Sequence, residues 1–248
     1  MKHNQFIGSG SGKLGNLVGY VRGGKQMTRV YQPIVANPNT PRQQLSREKM
    51  KLCSELSRGL ARVLNFSLGQ YSNSRVSPRN VFSKMSIPLA AGVFTGADRS
   101  HVTTDYENVK LTKGVLGATP ITYGETSFST PKRVAVPIEN FSQDWNVNHT
   151  TEGDERTVIF ALVVLNTVQM KSVMETEILY NKTTHSWWSG ISEVKIDVPA
   201  SWQGDYVEVY AFAKQIPDAL NGYPFDTEPF RIPGECTETD YLGTGSIA

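Results

Sequence analysis

The chain has 248 residues, of which 39% are hydrophobic and 19% are charged, a composition that excludes a disordered chain. Its longest apolar run, Val158–Leu165, is far shorter than the roughly 18 residues of a membrane-spanning helix. The first residues lack the apolar block of a secretion signal, and two cysteines, Cys53 and Cys236, are too few for a disulfide framework. We therefore expect a protein made and used without contact with a membrane.

The two ends of the chain differ strongly in charge. Residues 1–88 contain 14 Lys and Arg and only two acids, a net charge of +12, whereas residues 89–248 contain 11 Lys and Arg against 21 acids, a net charge of −10. This asymmetry predicts different surroundings for the two parts, for example nucleic acid for one and solvent for the other. The alternative is that the basic part docks on the acidic part of a neighbouring subunit.

Residues 1–36 predict a glycine-rich, basic β-hairpin arm. Leu17–Val21 and Gln26–Tyr31 are rich in β-forming residues, and the sequence Arg-Gly-Gly-Lys between them is typical of a tight hairpin turn. An isolated hairpin is only marginally stable in water. The arm is therefore expected to pack on its own domain or on another subunit.

Residues 37–88 predict a basic helical segment. Thr40 as N-cap, Pro41 in the first helical position and Gln43 as capping-box partner favour a helix over residues 41–68. A shorter helix is expected over residues 78–85, capped by Ser77. Glycines in residues 89–104 then indicate a linker.

Basic residues of these segments are the candidate contacts with nucleic acid or with another subunit. On the first helix the basic side chains form a stripe nearly opposite the leucine-rich face. A solvated surface is the alternative interpretation of such a stripe. The candidates from the arm and the helix are Arg22, Lys25, Arg29, Arg47, Lys51, Arg58 and Arg62.

From residue 105 to residue 248 the pattern predicts an acidic β-sandwich. Short runs with alternating hydrophobicity are separated by turn-forming residues. The expected strands are Glu107–Thr112, Pro120–Phe128, Lys132–Ile138, Thr157–Val164, Glu175–Tyr180, Glu193–Val198 and Tyr206–Lys214. The predicted fold class is therefore mainly β with an N-terminal α segment, in which a hairpin arm and one or two helices precede an antiparallel immunoglobulin-like sandwich.

The sequence contains no complete motif for catalysis. Gly8–Lys13 lacks the first glycine and the final Ser or Thr of a phosphate-binding loop. The four histidines have no zinc-binding spacing, and no nucleophile, base and orienting group can be nominated together. We predict no catalytic residues, no metal site, no cofactor and no enzymatic activity.

Two adjacent tryptophans, Trp187 and Trp188, are candidates for an exposed aromatic surface that binds carbohydrate or protein. The alternative is that one of them fills the sandwich core.

The N-terminal sequence resembles an uncharacterised domain family, one of unknown function, that occurs in Bacteroidota and in their phages. The resemblance is carried by Gly12-Lys-Leu-Gly-Asn-Leu-Val-Gly-Tyr-Val-Arg-Gly-Gly-Lys25 and by Asn37-Pro-Asn-Thr-Pro-Arg-Gln-Gln44. Weaker matches include Val109–Gly114, the strand Tyr206–Ala213 and Tyr241-Leu-Gly243. The family supplies no catalytic residues, and the resemblance implies an association with phages or mobile elements.

Together these observations predict a structural protein of a phage particle, in the capsid or the tail, that assembles with copies of itself or with other virion proteins. Its basic part would face nucleic acid, and the protein would be made in the host cytoplasm and reside in the virion. The alternatives are a free, non-specific nucleic-acid-binding protein and a carbohydrate- or surface-binding module.

Overall fold

A computed structural model describes residues 12–22, 24–32, 39–73, 75–87, 93–96, 99–119, 121–130, 132–141, 157–181, 186–187, 192–216 and 235–248. The chain forms two compact units, Met1–Thr40 and Pro41–Ala248. Its described part is mainly β and has an N-terminal α segment, as the sequence predicts, but it contains three α-helices where one or two were expected, and several antiparallel sheets.

The first unit is a three-stranded antiparallel sheet of β1 (Gly12–Leu14), β2 (Leu17–Arg22) and β3 (Lys25–Val30), in the order β1-β2-β3. Arg22 pairs with Lys25, so the predicted antiparallel pairing of these two runs is confirmed. Gly24 has a φ of 75°, a conformation that glycine adopts without the steric cost of a side chain. The strand β1 was not predicted from the sequence.

The second unit begins with α1 (Pro41–Gly59) and α2 (Ala61–Leu68). The sequence predicted one continuous helix here, and the structure interrupts it at Leu60, which has a φ of −92° and a ψ of 12°. At this point the helix meets the turn that follows residue 166. A Cβ on Gly59 would lie 2.4 Å from the carbonyl oxygen of Met170, and the Ser172 hydroxyl donates to the Gly59 carbonyl at 2.7 Å. The close approach requires glycine at position 59, directly before the interruption at Leu60.

The third helix, α3 (Pro78–Ser86), confirms the prediction in position and cap. The Ser77 hydroxyl accepts a hydrogen bond from the Asn80 amide at 3.2 Å, and Pro78 occupies the first helical turn. An amide that α3 cannot satisfy internally is thereby bonded.

The strands of the second unit form two larger sheets and one small ribbon. Their bounds are β4 (Phe94–Thr95), β5 (Thr103–Thr104), β6 (Ile121–Tyr123), β7 (Ser127–Thr130), β8 (Arg133–Phe141), β9 (Thr157–Asn166), β10 (Lys171–Asn181), β11 (Ser186–Trp187), β12 (Glu193–Asp197), β13 (Tyr206–Ile216) and β14 (Asp240–Ser246). The five-stranded sheet has the order β11-β10-β9-β13-β14. The four-stranded sheet has the order β12-β8-β6, with β7 also paired to β8, and β4 pairs with β5. All of these pairs are antiparallel.

The central strands of the five-stranded sheet, β9 and β13, are buried on both faces. On one face, residues such as Ile159, Val163 and Phe212 share a core with the leucines of α1 and α2. On the other face, residues such as Phe160 and Val209 share a core with the four-stranded sheet. Because alternate residues of a strand point to opposite faces, β9 contributes to both cores and has no polar side between Val158 and Leu165. The second unit therefore has three layers, helices, central sheet and second sheet.

One predicted strand is wrong. Residues 107–112 form turns and irregular backbone, and side chains from elsewhere satisfy their polar groups. The Ser67 hydroxyl donates to the Leu111 carbonyl at 2.6 Å, and the Thr239 hydroxyl accepts from the Leu111 amide at 2.9 Å. The Thr112 hydroxyl donates to the carbonyl of Thr237 at 2.6 Å. These side-chain bonds replace a strand partner.

Two other segments differ from the expected pattern. The predicted strand over residues 120–128 is divided into β6 and β7. Within residues 89–104, expected to be a linker, β4 pairs with β5, and Val93 and Phe94 are buried in the helix-side core.

Candidate interaction surface of the N-terminal arm

The described part of the first unit, residues 12–22 and 24–32, is called the arm below, and its sheet has two chemically different faces. Directly opposed residues in an antiparallel pair lie on the same face. Leu17 opposes Val30, and Gly19 opposes both Gly12 and Thr28. Val18 opposes both Lys13 and Arg29. The register therefore assigns each described strand position to one of two faces.

One face carries no charge. Leu17, Val21 and Val30 lie on it, together with Gln26 and Thr28. The exposed fractions of Leu17, Val21 and Val30 are 41%, 57% and 68%. Isolated exposed apolar residues are common on proteins, but three on one face of so small a sheet indicate a contact surface. We call it the uncharged face.

The opposite face is basic. Lys13, Arg22, Lys25 and Arg29 lie on it and are exposed, and the half-buried Tyr20 and the exposed Met27 lie between them. Residues 1–40 contain no Asp or Glu, so none of these cations has a carboxylate partner in its own unit. The structure thus brings the predicted residues Arg22, Lys25 and Arg29 together on what we call the basic face.

A groove of about 640 Å³ lies at the end of the basic face. Lys13, Val18 and Arg29, a row of neighbours across the three strands, contribute to its lining with Tyr31. The Lys13 ammonium lies 3.8 Å from the centroid of the Tyr31 ring, a cation–π contact. The Tyr31 amide donates to the Asn16 carbonyl at 2.7 Å, which fixes the backbone at this end of the arm. The groove therefore combines two cations with an aromatic ring.

The other four predicted cations lie in the second unit. Arg47, Lys51 and Arg58 are on α1 and Arg62 is on α2, and all four are exposed. The Lys51 ammonium lies 3.3 Å from a carboxylate oxygen of Glu48, so part of this charge is already balanced. These residues are placed as the sequence predicted, on the exposed side of the helices, but in a different unit from the basic face.

The structure does not test the predicted aromatic surface at the two tryptophans. Trp187 is in β11 and pairs with Tyr180 of β10. Trp188 lies outside the described residues. The aromatic surface stays a prediction.

A polar cluster with aromatic residues lies on the helix side of β13 and β14. The Tyr241 hydroxyl donates to a carboxylate oxygen of Glu208 at 2.7 Å, and the Tyr210 hydroxyl donates to the Tyr106 carbonyl at 2.9 Å. Burial raises the pKa of Glu208, and burial followed by the Glu208 and Glu107 carboxylates raises the pKa of Tyr241. These shifts keep each phenol protonated, so the cluster acts as a hydrogen-bonded support for the sheet edge.

A buried lysine and a buried cysteine lie at the other end of β13. Lys214 is fully buried, and its ammonium donates to the carbonyl of Phe66 in the last turn of α2 and lies 4.8 Å from the Phe66 ring centroid. Burial lowers the pKa of Lys214 to about 8 and raises the pKa of Cys236, its backbone partner, to about 12. A cation near the C-terminus of a helix interacts favourably with the helix dipole. The pair joins the sheet to α2 and has no access to solvent.

Within the described ranges no group of three or more His, Cys, Asp and Glu side chains is arranged to hold a metal ion. The same residues include no helix of sufficient length and apolarity to cross a membrane.

Sequence analysis missed Lys13 and the two-sided character of the arm. Both depend on the register of β1 against β2, which the glycine-rich sequence before Leu17 does not specify. The alternation of Leu17–Arg22 carried part of the signal, because every second residue of this run is apolar or glycine while Arg22 falls on the other face.

Comparison with known proteins gives a family but no functional relative. No curated protein matches the chain, and no solved structure matches it. Residues 9–216 match a family described as a family of unknown function, DUF6266. The match covers both the arm and most of the second unit, in agreement with the resemblance to an uncharacterised family, and this chain therefore belongs to the DUF6266 family.

Proposed function

We propose that this protein is a non-catalytic structural component of a phage particle, in the capsid or the tail. It acts by assembling with copies of itself or with other virion proteins. The observation that carries the proposal is the exposed uncharged face of the arm. The association with phages and Bacteroidota that the resemblance implies supports the particle as the setting, with synthesis in the host cytoplasm.

The uncharged face supports assembly because a small sheet with an apolar face in water is unfavourable. Covering apolar surface stabilises by about 25 cal/mol per Å². A three-stranded sheet has a single layer and cannot bury such a face within itself. A protein partner that covers Leu17, Val21 and Val30 would supply the missing layer.

The second unit supports a building role in a different way. Its central sheet is covered by helices on one side and by another antiparallel sheet on the other, which gives a rigid body with a double core. The two packed antiparallel sheets support an immunoglobulin-like sandwich as the particle-building domain. Exchange of an identical element between protomers is a low-cost route to dimers, and the arm is the candidate for such an element here.

The solution mass of the full chain tests the assembly role. We expect the wild-type protein to form assemblies, and Val30→Lys to shift the mass towards that of a monomer, because a lysine on the uncharged face opposes its burial. Val168→Lys is the matched control, since Val168 is 64% exposed in a turn of the second unit and Val30 is 68% exposed on the arm. An equal response to both substitutions would contradict a specific role for the uncharged face.

Mass spectrometry of purified phage particles tests the setting. A structural component is expected in a fixed ratio to the other particle proteins. Its absence from purified particles would remove the virion role.

A further inference from the structure

We propose that the basic face of the arm binds the phosphate backbone of nucleic acid, with the groove at Lys13, Arg29 and Tyr31 as the part where cations and an aromatic ring meet. This inference goes beyond the assembly role and does not depend on it. The ligand is a polyanion with stacked bases, recognised through charge and without sequence preference.

All the charged residues of the described arm lie on one face of its sheet. Lys13, Arg22, Lys25 and Arg29 all lie on one face, whereas the opposite face has no charged residue. Two faces with such different chemistry require two different neighbours. An apolar neighbour suits the uncharged face, and an anionic neighbour suits the basic face.

The first unit has no acidic residue that could balance its positive charge. Residues 1–40 contain five Lys and Arg, counting Lys2, and no acid, so the first unit carries a charge of +5 that its own residues do not reduce. Folding of the arm brings four of these charges together on one surface. Repulsion between like charges makes such a surface costly unless an anion binds there.

An acidic surface on a second copy of the chain is the competing ligand for the basic face. Several carboxylates of the second unit already have partners. Asp197 lies 2.6 Å from the Arg133 guanidinium, and Glu193 lies 2.6 Å from the Lys195 ammonium. Asp205 accepts from Asn166 and Gln169, and Glu208 accepts from Tyr241. These four carboxylates are engaged within their own unit, so a second copy would have to bind the arm through other acids of the second unit. The variants below distinguish that outcome from binding to nucleic acid.

Aromatic side chains lie among the cations of the basic face. Tyr20 lies on the basic face between Val18 and Arg22, and Tyr31 lines the groove beside Lys13. Proteins that bind single strands combine a basic groove with aromatic side chains on which bases stack. The arm has both elements within one small sheet.

Binding of the full chain to an oligodeoxythymidine of about 20 nucleotides, and to a duplex of the same length, tests the proposal. We expect affinity that falls steeply with salt. Replacing Arg22, Lys25 and Arg29 together by glutamine should lower the slope of log K against log salt by about 2 for the single strand, since each neutralised phosphate contributes about 0.7. At about 50 mM salt the affinity should fall by more than about tenfold.

A charge-matched control is available in the second unit. Lys110, Lys132 and Lys171 are exposed, and their joint replacement by glutamine removes the same net charge. We expect the slope of this variant to equal that of the wild type. An equal loss in both variants, or wild-type binding that does not respond to salt, would overturn the proposal.

The same variants separate this inference from the assembly role. If the arm variant alters the solution mass but leaves nucleic-acid binding unchanged, the basic face binds an acidic protein surface and the proposal is wrong. If Val30→Lys disrupts assembly but binds the oligonucleotide like the wild type, the two faces act independently, as proposed.

Discussion

The two units use β-sheet in opposite ways. In the second unit the strands β9 and β13 are buried on both faces, between helices and a second sheet. In the arm, strand β3 is exposed along its whole length. The same type of secondary structure therefore forms an internal layer in one unit and a two-sided surface in the other.

The difference separates residues that contribute to folding stability from residues that are available for recognition. Residues of a doubly covered sheet contribute mainly to folding, because their side chains meet only the protein interior. Residues of an exposed sheet contribute little to folding and are available to partners. The following substitutions compare matched positions in the two units, and the free energy of unfolding of the full chain in denaturant is the measurement unless another is named.

The largest contrast is expected between two apolar residues. Phe160→Ala should lower the free energy of unfolding of the second unit by about 3–5 kcal/mol, because the ring is fully buried and packs 6.2 Å from the Tyr123 ring, measured between centroids. Val30→Ala should change it by less than about 0.5 kcal/mol. A large loss from Val30→Ala would show that the arm is part of the folding core.

A second contrast is expected between two glycines. Gly59→Ala should lower the free energy of unfolding by about 1–3 kcal/mol, because its Cβ would lie 2.4 Å from the Met170 carbonyl oxygen. Helix propensity alone would give the opposite sign, a gain of about 1 kcal/mol. Gly12→Ala in the arm is the control, since nothing lies within 4 Å of its Cβ. Stabilisation by Gly59→Ala would show that the helix does not approach the turn so closely.

A third contrast concerns hydroxyl groups. Ser77→Ala removes the acceptor of the Asn80 amide at the start of α3 and should cost about 1 kcal/mol. Thr28→Ala, an exposed position on the uncharged face, should leave the unfolding of the second unit unchanged. Equal effects of the two changes would mean that the cap of α3 contributes nothing specific.

The smallest contrast concerns the pH dependence of stability. Burial lowers the pKa of Lys214 to about 8 from its ordinary value of 10.5, so between these pH values the unfolded chain binds more protons than the folded one. The free energy of unfolding should therefore rise with pH above 8, by up to about 1 kcal/mol per pH unit.

The difference between wild type and Lys214→Met isolates this contribution between pH 8 and 9. Burial raises the pKa of Cys236 in the folded protein to about 12 with Lys214 present, and loss of the lysine charge raises that pKa further, so the thiol stays protonated in both folded proteins over this range. Lys214→Met should flatten the rise between pH 8 and 9, and Lys25→Met on the exposed arm should leave it intact. An unchanged rise in Lys214→Met would exclude the buried lysine as its source.

Sequence reasoning succeeded where the structural signal is local. The hairpin turn before Lys25, the Ser77 cap and the alternating strand that begins at Tyr206 are each encoded within a few residues, and all are present. The break at Leu60 and the irregular backbone at Leu111 depend on contacts with distant residues, which no local pattern shows. The strand β14 was missed because two of its seven residues are glycines, and it forms through pairing with β13.

The candidate site was predictable in part for the same reason. Arg22, Lys25 and Arg29 follow from the hairpin pattern alone. Their location on one face with Lys13, and the groove beside Tyr31, depend on β1, whose register is set by backbone pairing with β2. The residues of the stripe from Arg47 to Arg62 are exposed on α1 and α2, but periodicity could not tell to which compact unit they belong.

The irregular segment around Leu111 affects the order in which parts of the chain can fold during translation. The amides of Leu111 and Thr112 donate to the Thr239 hydroxyl, and the Thr112 hydroxyl donates to the Thr237 carbonyl. Both of these partner residues are translated more than a hundred residues later. Until those threonines emerge, the segment lacks these bonding partners, and α2, which bonds it through Ser67, lies beside a surface that is still incomplete. Completion of this part of the helix-side core therefore waits for the segment of Thr237 and Thr239, whereas the described strands of the arm find their pairing partners within residues 12–30.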